Sequence, residues 1–514
     1  MVGARIGIPG GEVAEQARAG FFLPEPGLAL GSGPTVRILL VSHAYPPHST
    51  AGTETYTAGL AEKLTARGHT VEVFTTVKDI GRPQFALERR THRGVPVHEL
   101  VNNLHYATFR ATWDDPDAEL PFQRVLDAFR PDVVHVQHLL YLSSGILARA
   151  RRATPVAFTL HDYWLQCPRF GHRVHADGAV CHVIDTDRCG TCIARFKYAQ
   201  SGLERRVGNL IARVHGATGV DLGPLARGAR DAAARARRRG GPGRDGSAGT
   251  EPDPAVDPER AAGLAAEARL RLDELRARAV AHVDLFLATS RFLLDRMVRE
   301  TGLSADRIEH LPLGVDLAAF DVAARVPRSG PLRVAFLGTR TPLKGAHVLL
   351  EAWLALPEPT RARARLVLAG PDHHEPEYQA RLAVLARRAG AELLGRRSRV
   401  EVAQLLAATD LIVVPSLWYE NSPLVILEAL AARVPLLVSD QGGMAELVTP
   451  GETGFHFRQG DVADLARELA RAIDEPERLV GLFARPARPL GVDEHVARVE
   501  ARYAELIARR ERRA

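Results

Sequence analysis

This sequence predicts an α/β protein made of two doubly wound domains in tandem, facing one another across a cleft. Three observations predict it. Short apolar runs recur, each leading into a polar loop and then a segment of helical period. The alternation starts near residue 36, breaks near 310–330 and starts again after Pro331, so there are two series. The chain has 514 residues, room for two to four domains at roughly 150 residues each.

The first series opens with an apolar strand at 36–42 and a polar, proline-containing loop at 43–52. A helix over 53–66 follows, with Tyr56, Leu60 and Leu64 on one face, and Gly68 ends it. Residues 71–75 form the next strand. A strand–helix–strand unit of this kind implies a parallel sheet. Residues 132–136 and 156–160 continue the rhythm. Beyond the cysteines, 217–260 is dense in Ala, Arg and Gly and reads as an insertion, disordered around 238–243. A helix from about 258 to 279 closes it, and 283–288 resumes the sheet. The second series has strands at 332–337, 365–369, 411–415 and 434–438, with a helix starting near Gly345. Residues 492–514 look helical. The domain plan is therefore a flexible extension at 1–35, a first domain at 36–200 and an Ala/Arg-rich, partly disordered insertion at 201–280. A return and linker at 281–325, a second domain at 326–485 and a last helix at 486–514 complete it.

Hydrophobic residues at 46% and charged residues at 25% exclude a disordered chain, a coiled coil and a collagen. No run approaches the ~18 apolar residues of a membrane span. Glu12 and Glu15 sit where a secretory signal would carry no acid, so a cytoplasmic location is expected. The net charge of +6 is mild for this length. Part of it is concentrated, because 201–245 holds ten Arg against four acids. That segment reads first as a solvated insert. A basic surface can also meet anionic lipid, so peripheral contact with a membrane stays open. Nucleic acid is not the expected partner, since such a binder would gather its charge on one face or stripe.

Ligands of doubly wound domains bind at the carboxyl ends of strands, so loops that follow strands carry the candidates. The richest runs Pro-Ser-Leu-Trp-Tyr-Glu-Asn-Ser-Pro from Pro415, with Glu420 and Glu428 eight residues apart. Ser422 before Pro423 reads as a helix start, a hydroxyl cap and then a proline at the first helical position. Glu420 then lies in the loop and Glu428 inside the helix. A helix start suits a phosphate, and a carboxylate just inside it can accept hydrogen bonds from sugar hydroxyls. Equally, Glu428 could be a structurally paired acid and Glu420 a solvated one. Gly338-Thr339-Arg340-Thr341-Pro342-Leu343-Lys344-Gly345 joins a strand to a helix. Its glycines permit close approach, and Arg340 and Lys344 could set two charges on a diphosphate or simply be solvated. No Gly-Lys-Ser/Thr follows, so it is not a Walker loop. The first loop lacks Gly-x-Gly-x-x-Gly, which argues against a dinucleotide site. Gly52 before its helix could admit a ligand or merely turn the chain. His161, directly after a strand, leans toward function but could be structural.

Together these pieces bring a family into view. The chain resembles GT-B glycosyltransferases, two Rossmann-like doubly wound domains facing a cleft, of the large family-four type of retaining, nucleotide-sugar-dependent enzymes. The resemblance covers roughly 36–200 and 281–480. Its most specific piece is Glu420-x7-Glu428. Leu-Pro-Leu-Gly-Val-Asp from Leu311, Ala369-Gly370-Pro371, Gly-Gly-Met-Ala-Glu from Gly442 and Gly451-Glu452-Thr453-Gly454 match too. The resemblance implies a first domain that takes the acceptor and a second that takes the nucleotide sugar. Arg340 and Lys344 would hold the donor diphosphate, with Gly338, Asn421 and Ser422 also on the donor. Glu428 would hold the ribose, and Glu420 and His161 would act at the transferred sugar. Gly52 and Thr53 would line the acceptor side, and the last helix would cross back to the first domain. The implied reaction moves a hexose-type sugar to a glycan or lipid-linked acceptor, such as a polysaccharide, lipopolysaccharide or glycolipid precursor. Two cations and a helix start would stabilise the leaving diphosphate, so no catalytic metal is expected, and no protein nucleophile is assigned. Two positions depart from the family: Ala51-Gly52-Thr53 stands where Gly-Gly is usual, and Arg433 stands where a glycine usually follows the Glu-x7-Glu helix.

Four cysteines, Cys167, Cys181, Cys189 and Cys192, fall within 26 residues with spacing C-x13-C-x7-C-x2-C. In a cytosolic protein this favours a structural zinc over disulfides, an iron–sulfur cluster or free thiols. His172, His175 and His182 are candidate substitutes or supporting groups. A subset of the resembled family carries a similar His-Asp-Tyr-Trp…Cys-Pro run with trailing cysteines. Two rival readings are a sugar-nucleotide epimerase on the same fold, which needs no acceptor, and a non-catalytic scaffold whose basic insert binds membrane or nucleic acid.

Overall fold

A computed structural model describes residues 34–196, 198–219, 256–320, 330–372, 375–482 and 488–512. The chain divides into a short unit, Met1–Pro34, and a large one, Thr35–Ala514. The extension expected at 1–35, all but its last two residues, the centre of the Arg-rich insertion and most of the seam before Pro331 lie outside the described residues.

The large unit contains two sheets. The first is built from β1 (Arg37–Val41), β2 (Thr70–Val77), β3 (Leu87–His92), β4 (Val95–Val101), β5 (Val133–Val136), β6 (Val156–Leu160), β7 (Leu285–Ala288) and β8 (Ile308–His310). Their order is β3-β4-β2-β1-β5-β6-β7-β8. All pairs are parallel except β3 with β4. The second sheet takes β9 (Leu332–Leu337), β10 (Ala364–Ala369), β11 (Glu392–Leu394), β12 (Leu411–Val414), β13 (Leu436–Ser439) and β14 (Gly454–Phe457), in the order β11-β10-β9-β12-β13-β14, all parallel. Numbered within its domain this is 3-2-1-4-5-6, the doubly wound order. The two-domain α/β fold expected from the sequence is therefore the observed one.

Burial explains the strand composition. Ile38, Leu39, Leu40 and Val41 are all fully buried, because helices cover both faces of the sheet. Helix starts follow the local chemistry. Asp115 caps helix Pro116–Phe129, and Asp257 caps helix Pro258–His282, each with a proline in the first turn. The second of these helices spans the end of the segment expected as an insertion, yet it is part of the first domain. Leu264, Ala268, Leu275 and Ala279 join the core beneath β6 and β7. Its period-3.6 apolar face, diluted by alanines, hides among the Ala/Arg bias of the preceding residues. The hairpin β3–β4 was not anticipated, since β3 is charged and half-exposed as an edge strand should be.

The last helix, Val492–Glu511, packs on the first domain. Tyr56 Oη lies 2.8 Å from His495 Nε2, and Tyr503 Oη lies 2.6 Å from His135 Nδ1. The two chain crossings between domains run side by side: Val315 N donates to the Leu490 carbonyl and Val492 N to the Val315 carbonyl, both at 2.9 Å. A side chain at Gly314 would collide with His495, its Cβ 2.6 Å away.

Candidate active site in the interdomain cleft

Each sheet reverses its winding once, between β1 and β5 in the first domain and between β9 and β12 in the second. At such a switch point the neighbouring loops diverge and leave a crevice. The candidate residues gather in the loops after these four strands and after β6.

In the second domain, β9 ends at Gly338, and residues 342–344 form one tight turn whose lysine amide is taken by the Thr341 hydroxyl. Gly345 follows with φ +71°, and a Cβ there would lie 1.8 Å from the Pro415 carbonyl oxygen. Only glycine permits this approach. It lets the Leu343 carbonyl accept from Leu417 N at 2.7 Å and sets Lys344 over the loop after β12. There Lys344 Nζ donates to Glu420 Oε1 at 2.5 Å and lies 5.7 Å from the Trp418 ring centroid. The same oxygen accepts from Ser416 Oγ at 2.8 Å and Trp418 Nε1 at 3.0 Å. Glu420 is thus buried and fixed in orientation.

Arg340 takes other partners. Its guanidinium donates to Asp372 at 2.6 Å and to the Leu394 carbonyl at 2.6 Å, at the ends of β10 and β11. Gly338 underlies this corner, because a Cβ on Gly370 would lie 2.0 Å from the Gly338 carbonyl oxygen. The two cations read together in the sequence therefore hold different carboxylates here, Lys344 that of Glu420 and Arg340 that of Asp372.

Glu428 lies in helix Leu424–Ala431. The helix begins one residue later than the Ser-Pro pattern suggests: Pro423 occupies the cap position, and Ser422 makes no cap. Ser422 Oγ is buried without a hydrogen-bond partner, as is Gln441 Nε2. No hydrogen bond or ion pair engages the Glu428 carboxylate among the described residues. Burial pushes its carboxyl up to about 7, with Arg399 pulling the other way. Arg433, the departure at the end of this helix, stands in the left-handed region at φ +53°, where a glycine would be unstrained.

Asn421 joins the domains. Its Oδ1 accepts from Tyr163 Oη at 2.6 Å, and its Nδ2 donates to the His161 carbonyl at 2.9 Å. A Cβ on Gly443 would lie 1.6 Å from the Asn421 carbonyl oxygen, so the Gly442-Gly443 pair is what lets helix Gly442–Leu447 close on this loop. Further along, both Glu446 oxygens accept from the amides of Arg291 and Phe292 at 2.9 Å.

The first domain offers three histidines, each just beyond a strand: His43 after β1, His138 after β5 and His161 after β6. Only His161 was read from the sequence. Its Nε2 lies 3.0 Å from Gln137 Oε1, and burial, then His138, holds the ring down at about 3, so it is neutral at pH 7. His138 Nε2 lies 2.9 Å from Asp162 Oδ2, and His43 Nε2 lies 3.3 Å from Glu54 Oε1. The two histidine rings are 4.5 Å apart. Burial opposes the charge on Asp162 and Glu54. Even so, the histidines, with the Trp164 amide at Asp162 and the Ser49 hydroxyl at Glu54, hold Asp162 below its ordinary range and Glu54 at about 2. His43 Nδ1, Glu54 Oε2, Ser42 Oγ and Gln137 Nε2 are buried with no partner. Buried polar atoms left unpaired beside a cleft point to ligand or water. Histidine just beyond an apolar strand, at 43, 138 and 161, was the sequence signal, whereas the neighbouring of those three strands comes from the sheet order. Gly52 and Thr53 begin helix Gly52–Ala66, and a Cβ on Gly52 would meet nothing within 4 Å.

The first cysteine, Cys167, lies six residues after His161. Cys189 and Cys192 lie on helix Thr186–Ala194, which docks on helix Pro258–His282 through Gly190, where a Cβ would lie 2.2 Å from the Ala261 carbonyl oxygen. Burial pushes the Cys189 thiol up to about 12 and the Cys192 thiol up to about 11, and the other cysteines add to the effect. No group of three or more His, Cys, Asp or Glu among the described residues is arranged to hold a metal ion. His182 Nδ1 reaches Tyr419 Oη across the cleft at 2.5 Å.

Two Rossmann-like domains with carboxylates, a lysine and unpaired polar groups at facing switch points define a GT-B fold with a candidate site between its lobes. Comparison with known proteins gives the family. Residues 51–314 match the glycosyl transferase 4-like domain and residues 321–482 match glycosyl transferases group 1, and the chain belongs to this glycosyl transferase family. The glycogen synthase of Mycobacterium tuberculosis is 33% identical over 197 residues, which cover 38% of this chain and 46% of that protein. The D-inositol 3-phosphate glycosyltransferase of Nocardia farcinica is 30% identical over 213 residues, 39% of this chain and 47% of that one. The chain thus spans about half the length of the curated relatives it matches. Anabaena Alr3699/HepE, solved in complex with UDP and glucose, shares the fold with a TM-score of 0.56 and 16% identity, over 92% of this chain and 100% of that one.

Proposed function

We propose that this protein transfers a hexose-type sugar from a nucleoside diphosphate to a hydroxyl of a glycan or lipid-linked acceptor, with retention of configuration. The observation that carries the reading is Glu428, a half-buried carboxylate with no partner among the described residues, in the helix that follows the Lys344–Glu420 contact. Such a carboxylate gains by accepting the paired hydroxyls of a ribose. Lys344 would meet the diphosphate, whose charge grows as the bond to the sugar breaks, and Glu420, now held by the lysine, would be released toward the sugar. Arg340 would join only by exchanging Asp372 for phosphate. His161, neutral and pinned by Gln137, would orient the sugar. The unpaired atoms around His43 and Glu54 would receive the acceptor, with Gly52 and Thr53 at its edge. The UDP and glucose of the Anabaena structure support a nucleotide-sugar donor.

The test is a panel of UDP-, GDP- and ADP-sugars read by thermal shift and by product formation. At least one should raise the melting point of the protein and be turned over. Lys344→Ala should cut that turnover by more than about tenfold through lost stabilisation of the leaving group. Near-normal turnover in this variant would refute the diphosphate role.

The four cysteines are read as a structural zinc site. Cys189 and Cys192 stand three residues apart on one helix, a spacing that suits tetrahedral thiolate ligation, although no metal-holding group is formed among the described residues. Protein purified under reducing conditions should contain about one zinc per chain by elemental analysis. Metal-free, fully folded protein would remove this reading.

A further inference from the structure

The first domain holds a cavity of about 270 Å³ that the proposed transfer site does not use. It backs onto the loops after β5 and β6, which contribute Leu140, Tyr141 and Trp164 to its wall. Eight aromatic side chains line it, among them Trp113, Trp164, Phe196 and Tyr198. No carboxylate does, and the charged groups in its lining are Arg271 and Lys78.

Arg271 is 3% exposed. Its Nη2 donates to the Trp164 carbonyl at 2.7 Å, and its guanidinium lies 4.9 Å from the Trp164 ring centroid. No other hydrogen bond and no carboxylate partner engages it among the described residues. Cys167, Cys189 and Asp162 are the ionisable groups whose charge it feels. A guanidinium has five N–H donors, and the Trp164 carbonyl is the one acceptor Arg271 meets among the described residues, so its buried donors suit a further anionic acceptor whatever charge the nearby thiols carry. The cavity is therefore apolar on its walls and cationic at one point, the complement of an amphiphilic anion.

A second feature adjoins it. Helix Gly202–Thr218 follows directly from the cavity residues at 198–200. It rests on His105, between the cavity residues Leu104 and Tyr106, where a Cβ on Gly208 would lie 2.8 Å from the His105 ring. Leu203 at 73% exposure, Val207 at 44% and Leu210 at 61% share one helical face. Arg205, Arg206 and Arg213 lie on the same helix. Exposed apolar side chains on a basic helix fit an anionic lipid surface.

We propose that this cavity binds an amphiphilic anion, head group on Arg271 and hydrocarbon chain along the aromatic walls, drawn from an anionic lipid surface on which helix Gly202–Thr218 lies. The inference does not depend on sugar transfer. One arm of the test uses dodecyl phosphate, dodecanol and inorganic phosphate as probes, with binding read by tryptophan fluorescence. Dodecyl phosphate should bind wild-type protein at least about tenfold more tightly than either of the others, because a charge-assisted hydrogen bond and the chain both contribute. Arg271→Met keeps the apolar volume and should lower dodecyl phosphate affinity to that of dodecanol. Lys78→Met, at an exposed position, should weaken it less and serves if the first variant does not fold. Equal binding of dodecanol and dodecyl phosphate, equal binding of inorganic phosphate, or unchanged affinity in Arg271→Met would overturn the cavity assignment. The last result would leave the Cys167 and Cys189 thiolates as the counter-charge of Arg271. The second arm is co-sedimentation with phosphatidylcholine vesicles with and without phosphatidylglycerol. Wild-type protein should sediment only with the anionic vesicles. Leu203→Asp with Leu210→Asp should abolish sedimentation while leaving dodecyl phosphate binding intact. Sedimentation that ignores vesicle charge or survives the double substitution would overturn the lipid source.

Discussion

At the scale of single residues the decisive group is Glu428, whose burial sets its proposed ligand role against stability. Its carboxyl ionises near 4.5 in an unfolded chain and near 7 in the folded one, chiefly through burial. Between these values the unfolded chain gives up its proton first. Folding stability contributed by this site therefore falls as pH rises from about 4.5 to about 7 and stays reduced above it. Glu428→Gln removes the titration. The variant should be more stable than wild type by about 1–3 kcal/mol at pH 8 and nearly unchanged at pH 4.5. Denaturant unfolding at the two pH values measures this. The same variant should bind nucleoside diphosphate more weakly, because a neutral amide accepts hydroxyl hydrogen bonds less well than a carboxylate. A gain in stability with a loss of binding is the signature of a group kept for its ligand. An equal stability change at both pH values would show that the carboxyl does not titrate as described.

At the scale of elements, the turn after β9 carries the site because one glycine lets two loops touch. Gly345→Ala would add a Cβ 1.8 Å from the Pro415 carbonyl oxygen, at a φ of +71° that alanine adopts at a cost. Strain and displacement together should destabilise the protein by about 2–4 kcal/mol. They should also move Lys344 off Glu420, so turnover falls further than stability alone explains. Thermal unfolding alongside kinetics at a temperature where the variant is folded separates the two effects. The sequence made this element legible, since an apolar strand, a glycine-bounded turn with two cations and a helix were all visible. It also made most strands legible, because buried parallel strands are continuous apolar runs such as those of β1 and β12. What it hid has physical reasons. β3 is a charged edge strand, and helix Pro258–His282, expected as a helix, reads as part of an insertion because the alanines it buries look like their exposed neighbours. Arg340 and Lys344 looked equivalent by spacing, yet they diverge because the chain turns between them and Asp372 claims the first. The His43–Glu54 and His138–Asp162 pairs join residues 11 and 24 positions apart, a proximity that sheet order creates and local spacing cannot reveal.

At the scale of the whole molecule, the question is whether two domains behave as one folding unit. The chain passes to the second domain through Leu311, Leu313 and Val315 and returns beside Val315 at Leu490–Val492, and its last helix packs on the first domain. One apolar cluster runs from Ile38 and Leu40 of the first sheet through Val496, Val499 and Tyr503 of that helix to Ile412 and Ile426 of the second domain. Tyr503 is a fully buried member of this cluster. Its hydroxyl meets His135 Nδ1 at 2.6 Å, while Thr159 Oγ1 holds His135 Nε2 at 2.8 Å. Burial keeps the His135 ring down at about 3 and hence uncharged at neutral pH. Tyr503→Phe strips a buried ring nitrogen of its partner without opening a cavity, which should cost about 1–3 kcal/mol. If the helix welds the lobes together, that cost should lower the midpoint of one cooperative calorimetric transition, with its calorimetric and van't Hoff enthalpies remaining equal. If the helix merely leans on the first lobe, the transition should instead split, with only its lower part moving. A split would show that the shared cluster does not transmit stability between the domains and that each lobe folds on its own core.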